Sequence, residues 1–315
     1  MKTFINPPFI SALITGWRFA KKGYSGKPQK YIRKQQLKIV YFTLLNPGFA
    51  NAWFNFLKSS KFRHVFIHRR RLYVKPFRPY ISIKWDKERK VNVILDTYRF
   101  LESKGDVFRQ FLTQKDGIVV AKLKFDNKYE GFIKLGYNYA IRKEGELALW
   151  LECDKLGGRI TSVVFSIEEK TKGQWVCLIG CIQGHKNKAV QDAFKVMQKS
   201  LYGLRPNSLI IYSAQELIRN MGFSAIYGIG NSIHISNQKH AVNFPWKRNI
   251  TFDYDNFWDE IGGRSINKDW FEIPLRPTRK NIQDIKSHKR SMYIKRYEML
   301  DNLSQQITKL AETLN

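Results

Sequence analysis

Three groups of residues in this 315-residue chain have types and spacings that suit chemistry. The first is the polar loop Gln183, Gly184, His185, Lys186, Asn187 and Lys188, between the apolar run QWVCLIGCIQG and a helical pattern. A strand-to-helix loop with a glycine and cations suits a phosphate, because the helix N-terminus adds free N–H groups and a positive dipole end. An ordinary turn explains a single glycine as well. The second group is Glu152 and His234, placed near strand ends and able to take a proton from an amine or hydroxyl. An exposed edge carboxylate and a satisfied half-buried histidine are the competing readings. The third is the densest charge in the chain, where Arg63, Arg69, Arg70, Arg71, Lys75 and Arg78 suit phosphate contacts on nucleic acid or lipid headgroups. His64 and His68 are spaced like helical metal ligands, but the surrounding arginines oppose a cation, so no metal is expected.

The elements that position the first two groups form one stretch, Gln174 to Ile235. It reads strand, loop, helix to Gly203, second helix to Gly222, and strand again in SAIYGIGNSIHI. Strands joined in this way can lie parallel, and ligands of open sheets bind beyond the strands' carboxyl ends. Those ends are Cys181 to Gly184 and Gly228 to Asn231. Cys177 and Cys181, four apart in a strand pattern, are expected to share one face as buried thiols, with Cys153 the third. An odd cysteine count without a CxxC pair argues against disulfides or a zinc knuckle.

Upstream, alternation around Ala121 to Phe125 and Ile133 to Ile141, then ELALWLECD and RITSVVFSIE, predicts an antiparallel meander. The first third is helical and basic. Residues 1 to 115 carry 25 Lys and Arg against 5 acids, a net of +20 out of the formal +29. Such a field favours nucleic acid, anionic lipid headgroups or acidic ligands without choosing among them. A helix from Gln29 to Leu45 is expected to turn Lys30, Arg33, Lys34 and Lys38 to solvent and to bury Leu37, Val40, Tyr41, Leu44 and Leu45. Asp86 caps a further helix. A short acidic helix, FDYDNFWDEIGG, then an extended stretch and a terminal helix close the chain. The fold class is α+β, a mixed sheet with an antiparallel meander and a strand-helix-helix-strand unit, preceded by a helical basic region. The divisions are 1–115, 116–263 and 264–315. No apolar run reaches transmembrane length, and the N-terminus lacks a signal-peptide cleavage pattern. Cytoplasmic placement, peripheral at the inner membrane in one alternative, is the expectation.

KPFRPYIS, DTYRFL, GELALWL, IGCIQG, LYGLRP, YDNFWDEIGG and KRSMYIKRYEMLD occur in one order from about Tyr31 to Asp301. On these segments the chain resembles the VirK/YbjX proteins of enteric bacteria. The resemblance implies a virulence-associated role in cell-envelope or lipopolysaccharide remodelling and in resistance to antimicrobial peptides. It supplies no catalytic residues. The order of hairpin, strand, loop, helix and strand also looks like the acyl-CoA acetyltransferase (GNAT) fold. That likeness would put a pyrophosphate of acyl-CoA at Gln183 to Lys188 and make Glu152 or His234 the general base. Only Gly184 of the usual double-glycine signature is present. A nucleic-acid-binding post-transcriptional regulator of virulence genes and a non-enzymatic scaffold on the membrane surface remain as alternatives.

Overall fold

The computed structural model describes residues 7–125, 129–137, 140–184, 197–237 and 252–314. The chain divides into two compact units, Met1–Pro79 with Asp86–Lys90, and Tyr80–Trp85 with Val91–Asn315.

The first unit is helical: α1 (Pro7–Gly23), α2 (Gln29–Leu45), α3 (Pro47–Lys58), α4 (Arg63–His68) and a 3-10 segment, Arg70–Phe77. Asn46 separates α2 from α3, whose first residue is Pro47. Proline fits there because its missing N–H has no helical partner at that position. Ala20, Ile39, Trp53, Phe54, Leu57 and Tyr73 form the core, and the Trp53 indole donates to the Tyr73 carbonyl at 3.0 Å.

Helix α2 has the expected bounds but the opposite face inward. It buries Ile32, Gln35, Gln36, Ile39 and Thr43, whereas Leu37, Tyr41, Leu44 and Leu45 are exposed. The reason is angular. At about 100° per residue these four lie on the same arc as Lys30, Arg33, Lys34 and Lys38, so the apolar and basic residues share one face.

Helix α5 (Lys87–Glu102) starts at Asp86, whose carboxylate accepts from the Arg89 N–H at 2.7 Å, and its residues from Val91 onward belong to the second unit. Helix α6 (Asp106–Thr113) follows. The sheet then forms from β1 (Ile118–Phe125), β2 (Tyr129–Gly136), β3 (Leu147–Cys153), β4 (Gly158–Thr171), β5 (Gln174–Gly184), β6 (Ala225–Ile229), β7 (Arg264–Asn267) and β8 (Trp270–Ile273). Its order is β1-β2-β3-β4-β5-β6-β8-β7. Every pairing is antiparallel except β5 with β6. The antiparallel meander, the single parallel pair and the surrounding helices make the molecule α+β with a mixed sheet.

Helix α7 (Pro206–Asn220) carries the chain between the two parallel strands, and α8 (Tyr254–Glu260) and α9 (Ser287–Leu314) follow. α7 is buried along most of its length because it contacts both the sheet and α9. The Tyr212 hydroxyl donates to the Leu300 carbonyl at 3.1 Å, and Ser304 donates to the Glu216 carboxylate at 2.5 Å. On the edge strand β1, the Gln306 amide takes the place of a neighbouring strand. It accepts from the Lys122 N–H at 2.8 Å and donates to the Lys122 carbonyl at 3.0 Å. A covered edge offers less to a foreign strand.

The register of β5 corrects one expectation. Cys177 pairs with Ile167 and Cys181 with Val164, and between them Gly180 is an extra residue opposite the Val164 to Phe165 step. A bulge adds one residue to one strand only. Cys177 and Cys181 therefore lie on opposite faces of the sheet, although both are buried free thiols, as is Cys153.

Candidate functional site

Strands β5 and β6 pair from Val176 and Ala225 to Ile179 and Gly228. β5 then continues to Gly184 along β4, while β6 ends at Ile229. The separation begins at the Gly180 bulge. Two glycines permit the close packing around it. A Cβ on Gly180 would stand 2.1 Å from the Glu144 carbonyl oxygen, and one on Gly228 would stand 2.5 Å from the Trp258 ring. Glycine in a strand commonly marks such an approach.

Side chains from α8 occupy the gap that opens. Trp258 donates its indole N–H to the Ile229 carbonyl at 2.9 Å. The Tyr254 hydroxyl faces the freed backbone of β5, 3.3 Å from the Ile182 nitrogen and 3.4 Å from its carbonyl oxygen, and 3.5 Å from Cys181 Sγ. These long contacts put a phenol where another strand would have continued the ladder. Asn231 holds Tyr254 there. Its Oδ1 accepts from the Tyr254 N–H at 2.9 Å, its Nδ2 donates to Asp253 at 2.8 Å, and its own N–H donates to Asp255 at 2.8 Å. Asp253 also caps α8 by accepting from the Asn256 N–H.

A buried strap, Tyr80 to Ser82, closes one side. The Ile81 N–H donates to the Lys143 carbonyl at 2.8 Å, and Ile83 donates to Ile233 at 2.9 Å. Ser82 forms an antiparallel bridge with His234. The Tyr80 hydroxyl lies 2.7 Å from Ser166 Oγ. Ile81 has φ of 56°, a conformation that a β-branched residue rarely adopts and that costs on the order of 1–3 kcal/mol.

His234 is held in one tautomer. Its Nδ1 accepts from the Ser236 N–H at 3.2 Å and lies 2.6 Å from Ser236 Oγ. A backbone N–H can only donate, so the proton of the neutral ring resides on Nε2. That atom is buried and makes no hydrogen bond of normal geometry among the described residues, although the Gly180 backbone interacts with the ring. The ring stacks on Tyr254 with centroids 4.9 Å apart. Burial pushes its pKa down to about 4, with the Gly180 backbone opposing in part. At neutral pH His234 is a buried N–H donor.

The rest of the gap is weakly acidic. Burial raises Cys181 to about 12, with help from the Glu144 charge, while the Tyr254 hydroxyl opposes. Burial first, then Cys181, and to a smaller degree Glu144, also push the Tyr254 phenol well up. Glu144 thus reaches both groups electrostatically.

Glu152, on β3, is engaged elsewhere. Its carboxylate accepts from Lys134 Nζ at 2.5 Å and from the Trp150 indole at 2.8 Å. Burial works against its ionised form, but these two hydrogen bonds and the charges of Lys134 and Arg159 hold the pKa below the usual carboxylate range. Gln183 and Gly184 end β5, and His185, Lys186, Asn187 and Lys188 lie outside the described residues. Among the cations of the first unit, Arg69 and Lys75 are buried. Arg71 donates to the Gly23 carbonyl at 2.9 Å and covers the Tyr24 ring, and Arg78 donates to Gln35 at 2.6 Å. Arg63 and Arg70 are exposed.

Gly180, Tyr254, Glu144 and the strap are the members that sequence reasoning did not single out, whereas Asn231 lies at the strand end that it named. An isolated glycine within the apolar run of β5 was the available signal for the bulge. The others come together only through the tertiary fold. Among the described residues no group of three or more His, Cys, Asp or Glu could hold a metal, and no helix is long and apolar enough to cross a membrane.

The model of the family DUF535, described as a protein of unknown function, matches residues 28–309. The uncharacterized protein YbjX of Escherichia coli K12 is 25% identical over 286 residues, 89% of this chain and 85% of that protein. An uncharacterized protein of Haemophilus influenzae is 29% identical over 228 residues, 72% of this chain and 73% of its own length. A further uncharacterized H. influenzae protein is 35% identical over 130 residues, 41% of this chain and 42% of its own. The chain belongs to the DUF535 family, with YbjX, a VirK/YbjX protein, among its relatives.

Proposed function

We propose that this DUF535 chain carries a GNAT-like, acyl-CoA-dependent acyltransferase core in its second unit, working on a cell-envelope component or its precursor. The observation that carries the reading is the parting of β5 from β6 after Ile179 and Gly228, at the Gly180 bulge, with the buried Nε2–H of His234 beside the gap, which among the described residues meets only the Gly180 backbone and with that makes no hydrogen bond of normal geometry. The sheet order supports it as well, since one parallel pair inside an antiparallel meander, joined through α7, agrees with the GNAT-like order of elements.

His234 offers a donor to the reacting end of such a ligand, which would enter by displacing the Tyr254 side chain from the gap. A buried donor left unsatisfied costs about 1–3 kcal/mol, and the Nε2–H of His234 is suited to a carbonyl oxygen that would satisfy it. Acyl-CoA would supply an acyl carbon activated as a thioester. Gln183, Gly184, His185, Lys186, Asn187 and Lys188 are the proposed phosphate-binding residues. His234 acts in this reading by donating from Nε2, so a base must come from a carboxylate. Glu152 is ionised but would have to leave Lys134 to serve. Glu144, whose charge reaches Cys181 and Tyr254, is the second candidate.

The setting follows from the VirK/YbjX resemblance: a cytoplasmic protein, peripheral at the inner membrane, supporting lipopolysaccharide remodelling, surface virulence factor production and antimicrobial-peptide resistance. An anionic partner, lipid headgroups or RNA, belongs to the same proposal. Calorimetry of the full chain with acetyl-CoA and longer acyl-CoA thioesters tests the core. Saturable binding, weakened about tenfold or more by Lys186→Glu, is expected. No heat with any acyl chain length would rule the reading out.

A further inference from the structure

We infer that the α1–α2 hairpin of the first unit is a docking face for the surface of an anionic lipid bilayer. The inference rests on the anionic-partner part of the proposed function and is independent of the acyl-CoA site. Among the described residues, thirteen large apolar side chains are exposed, and eight belong to these two helices: Ile10, Ile14, Trp17, Tyr31, Leu37, Tyr41, Leu44 and Leu45. Their exposure runs from 41% to 63%.

The two helices run antiparallel. Tyr24 meets Tyr31 with ring centroids 5.5 Å apart, and Gln36 donates to the Trp17 carbonyl at 3.4 Å. Ile10 and Ile14 therefore lie at the level of Tyr41 to Leu45. On α2, residues 30, 33, 34, 37, 38, 41, 44 and 45 fall within one arc of about 140°. Lys30, Arg33, Lys34, Leu37, Lys38 and Tyr41 line a shallow open groove along it. Lys21 and Lys22 stand in the last turn of α1, away from its exposed isoleucines. The hairpin thus has an apolar end and a cationic end.

Charge identifies the partner. The first eighty-five residues hold eighteen Lys and Arg and no Asp or Glu, so no acid within this stretch can neutralise the face. Partial burial, then the charges of Arg78 and Lys34, push Lys38 below its ordinary value. Aliphatic groups beside uncompensated cations match an anionic bilayer, where apolar side chains enter the headgroup boundary and cations meet the phosphates. RNA would use the cations and aromatic rings, but it stacks on rings and leaves exposed Ile10, Ile14, Leu37, Leu44 and Leu45 without a role.

Cosedimentation of the full chain with phosphatidylethanolamine/phosphatidylglycerol vesicles, pure phosphatidylcholine vesicles and a single-stranded RNA tests this. Binding to the anionic vesicles, weak binding to phosphatidylcholine, and at least a tenfold loss in a Leu37→Ser/Tyr41→Ser/Leu45→Ser variant are expected. That variant keeps every charge and removes only exposed side chains, so its melting curve should match the wild type. No vesicle binding overturns the inference. RNA binding that exceeds vesicle binding and is unaffected by the serines overturns it while leaving an anionic partner in place. Self-association abolished by the serines overturns it in favour of a second copy of the chain. Failure with both vesicles and RNA removes the anionic-partner reading too, and leaves the acyl-CoA experiment untouched.

Discussion

Protonating His234 should destabilise the second unit over a defined pH window. The ring is buried and its pKa is lowered from the ordinary 6.5 to about 4. In the unfolded chain the same ring titrates near its ordinary value, so between those two values the unfolded state binds more protons than the folded one. Stability then rises with pH. The contribution is complete above about pH 6.5 and is lost as pH falls towards 4. A difference of about two and a half pKa units corresponds to about 3 kcal/mol in full, and about 2 kcal/mol is gone by pH 5. The charged groups nearby do not reverse the sign, because burial is the leading cause and the Gly180 backbone only opposes it in part. The assay is nitrogen-15 NMR of the imidazole, paired with urea denaturation between pH 7.5 and 5 for the wild type and a His234→Gln variant. The expected spectrum has the proton on Nε2 and no titration above pH 5. The wild type should lose about 2 kcal/mol relative to the variant across that range. A His234 pKa near 6.5, or a proton on Nδ1, would refute the reasoning.

Two other outcomes follow from the same packing. Gly228→Ala places a Cβ 2.5 Å from the Trp258 ring, so it should lower stability by about 1–3 kcal/mol, read as a drop in Tm; an unchanged Tm would mean that the ring is free to move. Asn231→Ala removes its side-chain bonds to Tyr254 and Asp253. It should cost about 1–2 kcal/mol and weaken the near-UV circular dichroism of the α8 aromatics, with a wild-type spectrum counting against Asn231 as the group that fixes Tyr254.

The elements that sequence patterns disclosed are those whose local signals agree with their burial. Asn46-Pro47 stops α2, Asp86 starts α5, Gly222 with φ of 79° follows α7, and Gly157-Gly158, both at positive φ, mark the turn between β3 and β4. The burial of α2 was not legible, because Gln35, Gln36 and Thr43 pack inward beside Ile32 and Ile39 while leucines face out. Hydrophobicity predicts orientation only where the outward face has no use for apolar groups. The hairpin of β7 and β8 falls in a stretch that reads as extended, since β7 is exposed throughout and has no alternation to display. At the gap, the parallel strands and their glycines were readable. The role of His234 was not, because the donor that fixes its tautomer, Ser236, and the ring that covers it, Tyr254, are set by tertiary contacts. Glu152 was nominated by type and strand position, neither of which reveals that Lys134 and Trp150 already hold it.

In the proposed reaction a ligand carbonyl enters between β5 and β6 and meets the His234 Nε2–H. The direct measurement is the proton resonance of that N–H with and without a saturating acyl-CoA. A downfield shift and slower exchange with solvent are expected, both lost when a thioether analogue lacking the carbonyl replaces the thioester. An N–H resonance that is identical with and without bound acyl-CoA would contradict it.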